Sequence, residues 1–233
     1  MVSLSPLRLY LDTAEVAQWQ TWLPTGLFYG VTCNPLLLER ATVACTIDTL
    51  RDLTEQAERL GAREVHLQAW GDSAAALTHI GRLLGKLSPQ VVVKLPATQH
   101  GVTAASALIQ QHSIPVTLTA IYAVHQVLIA AAIGANYAAP YLGRINDSGR
   151  DGLAELTAMQ QALDGVGSST RLLSASIRNV SDISTLAIQG VDTFTFSTAI
   201  AQSLFNVSET IAATADFERA AQKMSRTASG ERP

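Results

Sequence analysis

The chain has 233 residues, of which 48% are hydrophobic and 15% are charged, and its formal net charge is −3. Disordered chains combine low hydrophobicity with high charge, so this composition excludes disorder. The basic residues are scattered, which argues against a nucleic-acid-binding protein. The longest stretch of small apolar residues, Val127 to Ala132, is far shorter than the roughly 18 residues of a membrane-spanning helix, so we expect no membrane association.

The cysteines, the N-terminal residues and the low charge predict where the protein is found and whether it forms oligomers. Cys33 and Cys45 do not form a CxxC pair, and two cysteines cannot build a disulfide framework. Residues 1–6 lack the basic and apolar regions of a signal peptide. These features predict a reducing, cytoplasmic setting. The low charge also favours burial between subunits, and hence a homo-oligomer.

Short β-branched or aromatic runs alternate with longer, Ala-rich amphipathic segments along the chain. The predicted strands are Leu7–Asp12, Leu27–Thr32, Glu64–Trp70, Val91–Leu95, Val116–Ile121, Tyr137–Leu142, Leu172–Ile177 and Thr193–Ser197. The predicted helices lie at residues 13–22, 43–60, 73–85, 101–111, 123–133, 151–163, 181–189 and 198–205, with a further helix at Asp216–Met224.

Eight strands that are each followed by a helix predict an α/β protein of the (β/α)8 TIM-barrel class. We place the barrel at residues 1–206 and a C-terminal helical extension of the same domain at residues 207–233. A doubly wound open sheet is the alternative. It usually carries a glycine-rich first turn, whereas the first turn here, at residues 12–15, contains no glycine.

Polar residues recur where the predicted strands end. Active sites of such barrels form at the C-terminal ends of the strands, so these side chains are expected to meet at one face. A single polar residue there can simply mark the end of a strand, but together they indicate a site. The residues are Asp12, Thr32, Asn34, Gln68, Lys94, Thr119, Tyr141, Arg144, Ser176, Arg178 and Ser197.

Lys94 is the most unusual of these residues, because it is one of only three lysines and lies in an apolar run. Along the strand, Val91, Val93 and Leu95 share one face, while Val92 and Lys94 share the other. A buried amine favours its neutral form, which can attack a carbonyl and form a Schiff base. The alternatives are a structural ion pair with Asp12, or a side chain that reaches to the barrel mouth.

Two further kinds of site were considered, one that binds an anion and one that binds a metal ion. Arg144 and Arg178 follow neighbouring strands, and with the Ser176 hydroxyl they suit a phosphate or carboxylate, although ordinary surface arginines are the alternative. The five histidines lack metal-ligand spacing, so we predict no catalytic metal.

Five segments resemble the signatures of the transaldolase family, in order and along nearly the whole chain. They are Leu9–Thr13, Gly30–Pro35, Val93–Thr98, Ala139–Ile145 and Ser174–Asn179. The resemblance implies a metal-free class I mechanism with no cofactor, acting on sugar phosphates. It assigns the Schiff-base lysine to Lys94, an acid/base to Asp12, hydroxyl ligands to Thr32 and Asn34, water-positioning residues to Gln68 and Thr119, and phosphate ligands to Arg144, Ser176 and Arg178.

The family contains two main activities, transaldolase and fructose-6-phosphate aldolase. Three positions favour the aldolase branch: Gln68 stands where transaldolases usually carry glutamate, Tyr141 where they carry phenylalanine, and Ala139 where they often carry serine. Tyr141 would then join the catalytic group. The small branch typically assembles as ten-subunit rings that exchange a C-terminal helix, which would here be Asp216–Met224.

Three residues depart from the family pattern. Cys33 replaces a usual threonine, Leu36 replaces a usual serine, and Thr117 stands where transaldolases often carry asparagine. Fructose-6-phosphate aldolase is therefore the first interpretation. The alternatives are a transaldolase that transfers a dihydroxyacetone unit, an inactive sugar-phosphate-binding relative, and a pyridoxal-phosphate barrel, which would be yellow as purified.

Overall fold

A computed structural model describes residues 7–228 of the chain. Residues 1–6, where the sequence predicts no signal peptide, and residues 229–233, the end of the predicted extension, lie outside the described residues. No helix within residues 7–228 is long and apolar enough to cross a membrane.

Eight parallel strands close into a barrel in sequence order, with the last strand paired to the first. This confirms the predicted (β/α)8 class. The strands are β1 (Arg8–Asp12), β2 (Gly30–Thr32), β3 (Glu64–Gln68), β4 (Val91–Pro96), β5 (Val116–Ile121), β6 (Tyr137–Pro140), β7 (Arg171–Ser174) and β8 (Thr193–Phe196).

Helices between the strands surround this barrel, and two more helices follow the last strand. They are α1 (Val16–Trp22), α2 (Pro35–Arg40), α3 (Ile47–Arg59), α4 (Ala74–Gly85), α5 (Gln99–His112), α6 (Val124–Ile133), α7 (Leu142–Asp147), α8 (Gly152–Gly165), α9 (Val180–Ile188), α10 (Thr198–Ser203) and α11 (Ser208–Ala228), with a short 3-10 helix at Leu23–Thr25.

Two short helices at the barrel mouth were not predicted. Helix α2 starts where Pro35 supplies a preset φ at the first helical position and the Asn34 side chain accepts a hydrogen bond from the Leu37 N–H at 3.1 Å. Strand β6 ends at Pro140 rather than at Leu142, because Tyr141 is the N-cap of α7. Both helices belong to the loops that carry candidate site residues.

The side chains of the strands divide between two layers. Val91, Val93 and Leu95 join the large core between the barrel and its helices, whereas Val92 belongs to a separate cluster inside the barrel. The inner cluster also contains Tyr10, Tyr137, Ala139 and Leu173. This alternation confirms that Lys94, two residues after Val92, lies on the inner side of β4.

Helix α11 is longer than the predicted Asp216–Met224 helix, since it starts at Ser208 and ends at Ala228. It carries three large apolar side chains in solvent: Ile211 is 56% exposed, Phe217 is 72% exposed and Met224 is 68% exposed. A 21-residue helix with such side chains in water has an apolar surface to cover.

Candidate active site

The mouth of the barrel holds a cavity of about 310 Å³ at the C-terminal ends of the strands. It brings together nine of the eleven polar residues predicted at the strand ends, which arrive from seven different strands or the loops that follow them. The nine are Asp12, Asn34, Lys94, Thr119, Tyr141, Arg144, Ser176, Arg178 and Ser197.

Lys94 contributes the amine of this cavity. Its side chain is inside the barrel and the residue is only 4% exposed. The Nζ atom donates a hydrogen bond to the Cys33 carbonyl oxygen at 3.1 Å. Within residues 7–228 no carboxylate forms an ion pair with it, so the predicted alternative of an ion pair with Asp12 is not found. The amine therefore faces the cavity with one neutral partner.

Asp12 lies at the end of β1 and is held by a pair of threonines. The Thr32 Oγ1 atom donates to Asp12 Oδ1 at 2.7 Å and lies 2.6 Å from the Thr195 Oγ1 atom. Thr32 is fully buried, so it orients the carboxylate from behind while Asp12 and Thr195 line the cavity. The arrangement fixes a carboxylate at the wall of the cavity.

Tyr141 and Thr119 form the opposite polar pair. The Tyr141 hydroxyl lies 2.8 Å from the Thr119 Oγ1 atom, and both residues line the cavity. The Tyr141 ring is flanked by an edge-on Tyr122 ring and by the Arg144 guanidinium, whose Cζ atom lies 4.9 Å from the ring centre. These contacts hold the phenol hydroxyl at a defined place next to a second hydroxyl.

The candidate anion group is built from the loops after β6 and β7. Arg144 donates to the Tyr122 hydroxyl at 3.4 Å, and this bond helps to raise the pKa of Arg144. Arg178 donates to both carboxylate oxygens of Asp147 at 2.5 Å, which lowers the pKa of Asp147. Ser176 has a left-handed backbone with φ of 59°, a conformation that few non-glycine residues adopt and that occurs often at functional sites.

Gly143 explains how these two loops approach each other. Its N–H donates to the Ser176 carbonyl oxygen at 2.9 Å. A Cβ atom at position 143 would lie 2.5 Å from that oxygen and 2.6 Å from Arg178 Nε, so a side chain does not fit. The glycine therefore lets α7 pack directly against the Ser176–Arg178 segment.

Three comparisons with known proteins bear on this site. A family model described as Transaldolase/Fructose-6-phosphate aldolase matches residues 9–231. The chain belongs to this family. It is an enzyme of the aldolase or transaldolase type, as the resemblance predicted.

Curated relatives agree with the family assignment. Proteins named probable transaldolase from Phenylobacterium zucineum and Coprothermobacter proteolyticus are 32% and 31% identical over 202 and 199 residues, covering 85% of this chain and 89% of each relative. A probable transaldolase from Geobacillus kaustophilus is 28% identical over 200 residues, covering 86% of this chain and 91% of the relative. The match extends through almost the whole barrel.

A search of solved structures supports the fold alone. Thiamine phosphate pyrophosphorylase from Pyrococcus furiosus superposes with a TM-score of 0.59 at 13% identity, covering 83% of this chain and 87% of that one. A flavocytochrome b2 variant superposes with a TM-score of 0.57 at 12% identity, covering 82% and 56%. Identities this low show a shared barrel and carry no argument about activity.

Two predicted members of the family site do not line the cavity. Thr32 lies behind Asp12, and Gln68 lies on β3 in register with Lys94. Asn34 does line the cavity, but its Oδ1 atom already accepts the capping hydrogen bond of α2. Its amide N–H₂ remains the part that can face a substrate.

Two of the three residues that depart from the family pattern, Cys33 and Leu36, lie at the site. Cys33 is buried beside Lys94; burial raises the pKa of its thiol to about 12, and only its carbonyl oxygen contacts the amine. Leu36 lines the cavity and is 51% exposed, so it adds an apolar side chain at the mouth.

Several lining or supporting residues were missed. Thr195 lies two residues before the predicted Ser197, and period-two alternation along β8 was the signal that would have placed Thr195 on the same side of the strand. Arg40 also lines the cavity, but it belongs to the unpredicted α2. Asp147, the partner of Arg178, belongs to the unpredicted α7.

A second polar cluster lies at the opposite, N-terminal end of the barrel interior and was also missed. Glu64 Oε2 accepts hydrogen bonds from the hydroxyls of Tyr10 at 2.8 Å and Tyr137 at 2.7 Å, and it lies 3.0 Å from His66 Nε2. Glu64 Oε1 accepts from Arg8 Nη1 at 3.2 Å. We refer to these five residues as the barrel floor. Among the described residues, no group of His, Cys, Asp and Glu is placed to hold a metal ion.

Proposed function

We propose that this enzyme is a class I aldolase that forms a Schiff base through Lys94. The observation that carries the proposal is the placement of the Lys94 amine: it is 4% exposed, lies in the cavity and contacts a neutral carbonyl. An amine in this position can attack the ketone of a sugar bound in the cavity and form an imine.

The proposed substrate is fructose 6-phosphate, which would be cleaved to dihydroxyacetone and glyceraldehyde 3-phosphate. Lys94 attacks the C2 ketone, water leaves, and the protonated imine accepts the electron pair when the C3–C4 bond breaks. A base takes the proton of the C4 hydroxyl. The enamine is then protonated at C3, and hydrolysis releases dihydroxyacetone and the free amine. The cavity volume of about 310 Å³ is at the lower end of the range for small-molecule sites.

Two groups are proposed as the base. Asp12 lines the cavity with one carboxylate oxygen bound to Thr32. On the other side, Tyr141 and Thr119 form a hydroxyl pair at 2.8 Å that would hold a water molecule in the way the family resemblance implies. Gln68, the third residue of that implied group, is in register with Lys94 on β3 and does not line the cavity. Asp12→Asn and Tyr141→Phe separate the two, since only the variant of the true base loses C3–C4 cleavage while imine formation persists.

Arg144, Ser176 and Arg178 are proposed as the phosphate ligands. They lie together on one side of the cavity, on loops that Gly143 allows to pack closely. Two guanidinium groups and a hydroxyl match the oxygens of a phosphoryl group. Asn34, with its free amide, and Thr32, through Asp12, would act on the sugar hydroxyls.

Transaldolase is the second candidate, because the curated relatives are named probable transaldolase. The same imine and enamine would form, but the enamine would wait for an acceptor aldehyde. The deciding assay supplies fructose 6-phosphate with and without erythrose 4-phosphate and measures glyceraldehyde 3-phosphate. Release without the acceptor supports the aldolase, release only with it supports the transaldolase, and no release in either case contradicts both and leaves the inactive sugar-phosphate-binding relative.

We also propose that the protein works as a homo-oligomer, with α11 as the contact element. Its exposed Ile211, Phe217 and Met224 give it an apolar surface of the kind that subunit interfaces cover. The ten-subunit ring implied by the family resemblance is the proposed assembly, in the cytoplasm. Light scattering of the intact protein should give a mass of ten chains, and a monomer mass would contradict the proposal.

A further inference from the structure

Tyr122 is a partly buried tyrosine at the end of β5 that the proposed mechanism does not use. It does not line the cavity, but it contacts two residues that do. Its hydroxyl accepts a hydrogen bond from Arg144 Nη1 at 3.4 Å, and its ring lies nearly perpendicular to the Tyr141 ring, with centres 5.6 Å apart. The Arg144 Cζ atom in turn lies 4.9 Å from the centre of the Tyr141 ring. Each of the three side chains therefore contacts the other two.

An irregularity in β5 sets the place of Tyr122. The pairing of β5 with β6 shifts between Thr119 and Ile121, so β5 carries one extra residue there, Ala120. Ala120 has a left-handed backbone with φ of 59°. Bulges of this kind are common next to active sites, where they redirect a side chain. Beyond the bulge, the Tyr141 N–H donates to the Ile121 carbonyl oxygen at 3.2 Å, which places Tyr122 beside Tyr141.

The backbone of Tyr122 is held on both sides by other side chains. Its N–H donates to Gln126 Oε1 at 2.8 Å, and its carbonyl oxygen accepts from Arg150 Nη1 at 2.7 Å. Arg150 is in turn paired with Glu155 of α8. The Tyr122 side chain packs against the large core between the barrel and its helices. Tyr122 is therefore a fixed support, whereas the exposed Arg144 depends on its contacts for its position.

The two proposed arginine ligands of the phosphate are held in different ways. Arg178 donates to both carboxylate oxygens of Asp147, which already balance its charge. Among residues 7–228, Arg144 has no carboxylate partner, and its side-chain acceptor is the neutral Tyr122 hydroxyl. A neutral acceptor orients a guanidinium and leaves its full charge for an anion. Tyr122 thus directs Arg144 without competing with a bound phosphate.

We infer that Tyr122 is a positioning residue that holds the Arg144 guanidinium against the Tyr141 ring and thereby couples phosphate binding to the orientation of the Tyr141 hydroxyl. The inference rests on the proposed function, which makes Arg144 a phosphate ligand and gives Tyr141 a part in the cleavage of the C3–C4 bond. One side chain has two separable tasks: its hydroxyl orients Arg144, and its ring supports Tyr141. Binding energy from the distant phosphate is then used to orient a group at the reacting bond.

The test uses the intact enzyme and the addition of dihydroxyacetone to an aldehyde, the reverse of the proposed cleavage. Glyceraldehyde 3-phosphate and glyceraldehyde are the two acceptors, and they differ only in the phosphate. Tyr122→Phe removes the hydroxyl and keeps the ring. We expect its KM for glyceraldehyde 3-phosphate to rise about tenfold, while its KM for glyceraldehyde and its kcat with either aldehyde stay within about twofold of wild type.

Two further variants separate positioning from a general structural role. Tyr122→Leu also removes the ring, so it should show the same rise in KM and, in addition, a kcat about tenfold lower with both aldehydes. Combining Tyr122→Phe with Arg144→Gln should raise the KM for glyceraldehyde 3-phosphate no further than Arg144→Gln alone, because the hydroxyl acts through Arg144. General loosening of the fold would instead affect both aldehydes alike.

Tyr29→Phe is the matched control. Tyr29 is also a partly buried tyrosine, with an edge contact to the Tyr10 ring at 5.8 Å and the Arg8 guanidinium 4.5 Å from its ring centre, but it does not line or support the cavity. Its KM and kcat should match wild type. Titration with inorganic phosphate adds a measurement that needs no turnover, in which Tyr122→Phe should raise the Kd about tenfold. Thermal melts establish that every variant is folded.

The outcomes separate this inference from the proposed function. If the wild type is active and folded Tyr122→Phe keeps its KM for glyceraldehyde 3-phosphate, or raises the KM for both aldehydes equally, the positioning role is wrong and the proposed function stands. An unchanged kcat in folded Tyr122→Leu overturns the coupling to Tyr141. If the wild type neither cleaves nor forms fructose 6-phosphate, the proposed function fails, and an unchanged Kd for phosphate in Tyr122→Phe would then overturn its hold on Arg144 as well.

Discussion

The polar groups at the two ends of the barrel interior differ in how many hydrogen-bond partners they have. At the floor, Glu64 accepts hydrogen bonds from four donors, and His66 uses both ring nitrogens. At the mouth, Lys94 has one carbonyl partner and Asp12 has one hydroxyl partner, and both face an open cavity. Polar groups whose bonding capacity is filled stabilise the fold, whereas groups with capacity left over can bind and react. The comparison predicts that mouth variants lose activity and floor variants lose stability.

The largest effect should come from Lys94→Ala at the mouth. Without the amine no imine can form, so cleavage of fructose 6-phosphate should fall by about 10⁴-fold or more. A coupled assay for glyceraldehyde 3-phosphate measures this loss. Lys86→Ala is the control, since that lysine caps α4 outside the barrel and should leave the rate unchanged. Residual cleavage close to the wild-type rate would remove Lys94 from the mechanism.

Tyr141→Phe should have the next largest effect. Removing the hydroxyl breaks its 2.8 Å contact with Thr119 and should slow cleavage about 100-fold, as expected for loss of acid/base assistance. Transfer to an erythrose 4-phosphate acceptor should suffer less. Tyr29→Phe is the matched control, because Tyr29 packs against Arg8 of the floor and this ring contact survives the change. Equal losses in cleavage and transfer would argue against a role for Tyr141 in the cleavage step.

Arg144→Gln should weaken binding more than it slows the reaction. Loss of one charge-assisted contact to the phosphate predicts a KM for fructose 6-phosphate about 10- to 100-fold higher, with kcat reduced less. The measurement is steady-state kinetics. Arg82→Gln, at an exposed position of α4, controls for the loss of one positive charge. An unchanged KM would place the phosphate elsewhere.

The floor should give the smallest effect, and it concerns stability. The pKa of His66 lies below its ordinary value of 6.5 because of burial, so the unfolded chain binds the proton more readily. The stability contributed by neutral His66 is present above about pH 6.5 and is lost as the pH falls below it. His66→Gln lacks this titration, so between about pH 7.5 and 5.5 its melting temperature should fall a few degrees less than that of the wild type. If the melting temperatures of the variant and the wild type fall equally over this pH range, His66 does not take up a proton on unfolding.

The sequence predicted the barrel well because its strands are near-continuous apolar runs and its helices are long. It predicted Lys94 because a lysine between Val93 and Leu95 breaks such a run. It missed α2 and α7, since six residues are too few to show a helical period. Asp147 and Arg40 were missed with them.

The floor was missed for a different reason. Glu64 and Tyr137 start their strands, where polar or aromatic residues are unremarkable, and His66 looked like a lone histidine without metal-ligand spacing. Only closure of the barrel brings Tyr10, Glu64 and Tyr137 to one point. The separation of 73 residues between Glu64 and Tyr137 shows why local patterns could not reveal the contact.

The Schiff base on Lys94 is tested most directly by peptide mapping after borohydride reduction in the presence of fructose 6-phosphate. The chain has only three lysines, Lys86, Lys94 and Lys223, so the modified residue can be assigned without ambiguity. We expect a reduced sugar adduct on Lys94, and none on Lys86, on Lys223 or without borohydride. An enzyme that cleaves the sugar but carries no adduct, or an adduct on Lys86 or Lys223 with Lys94 unmodified, would contradict it.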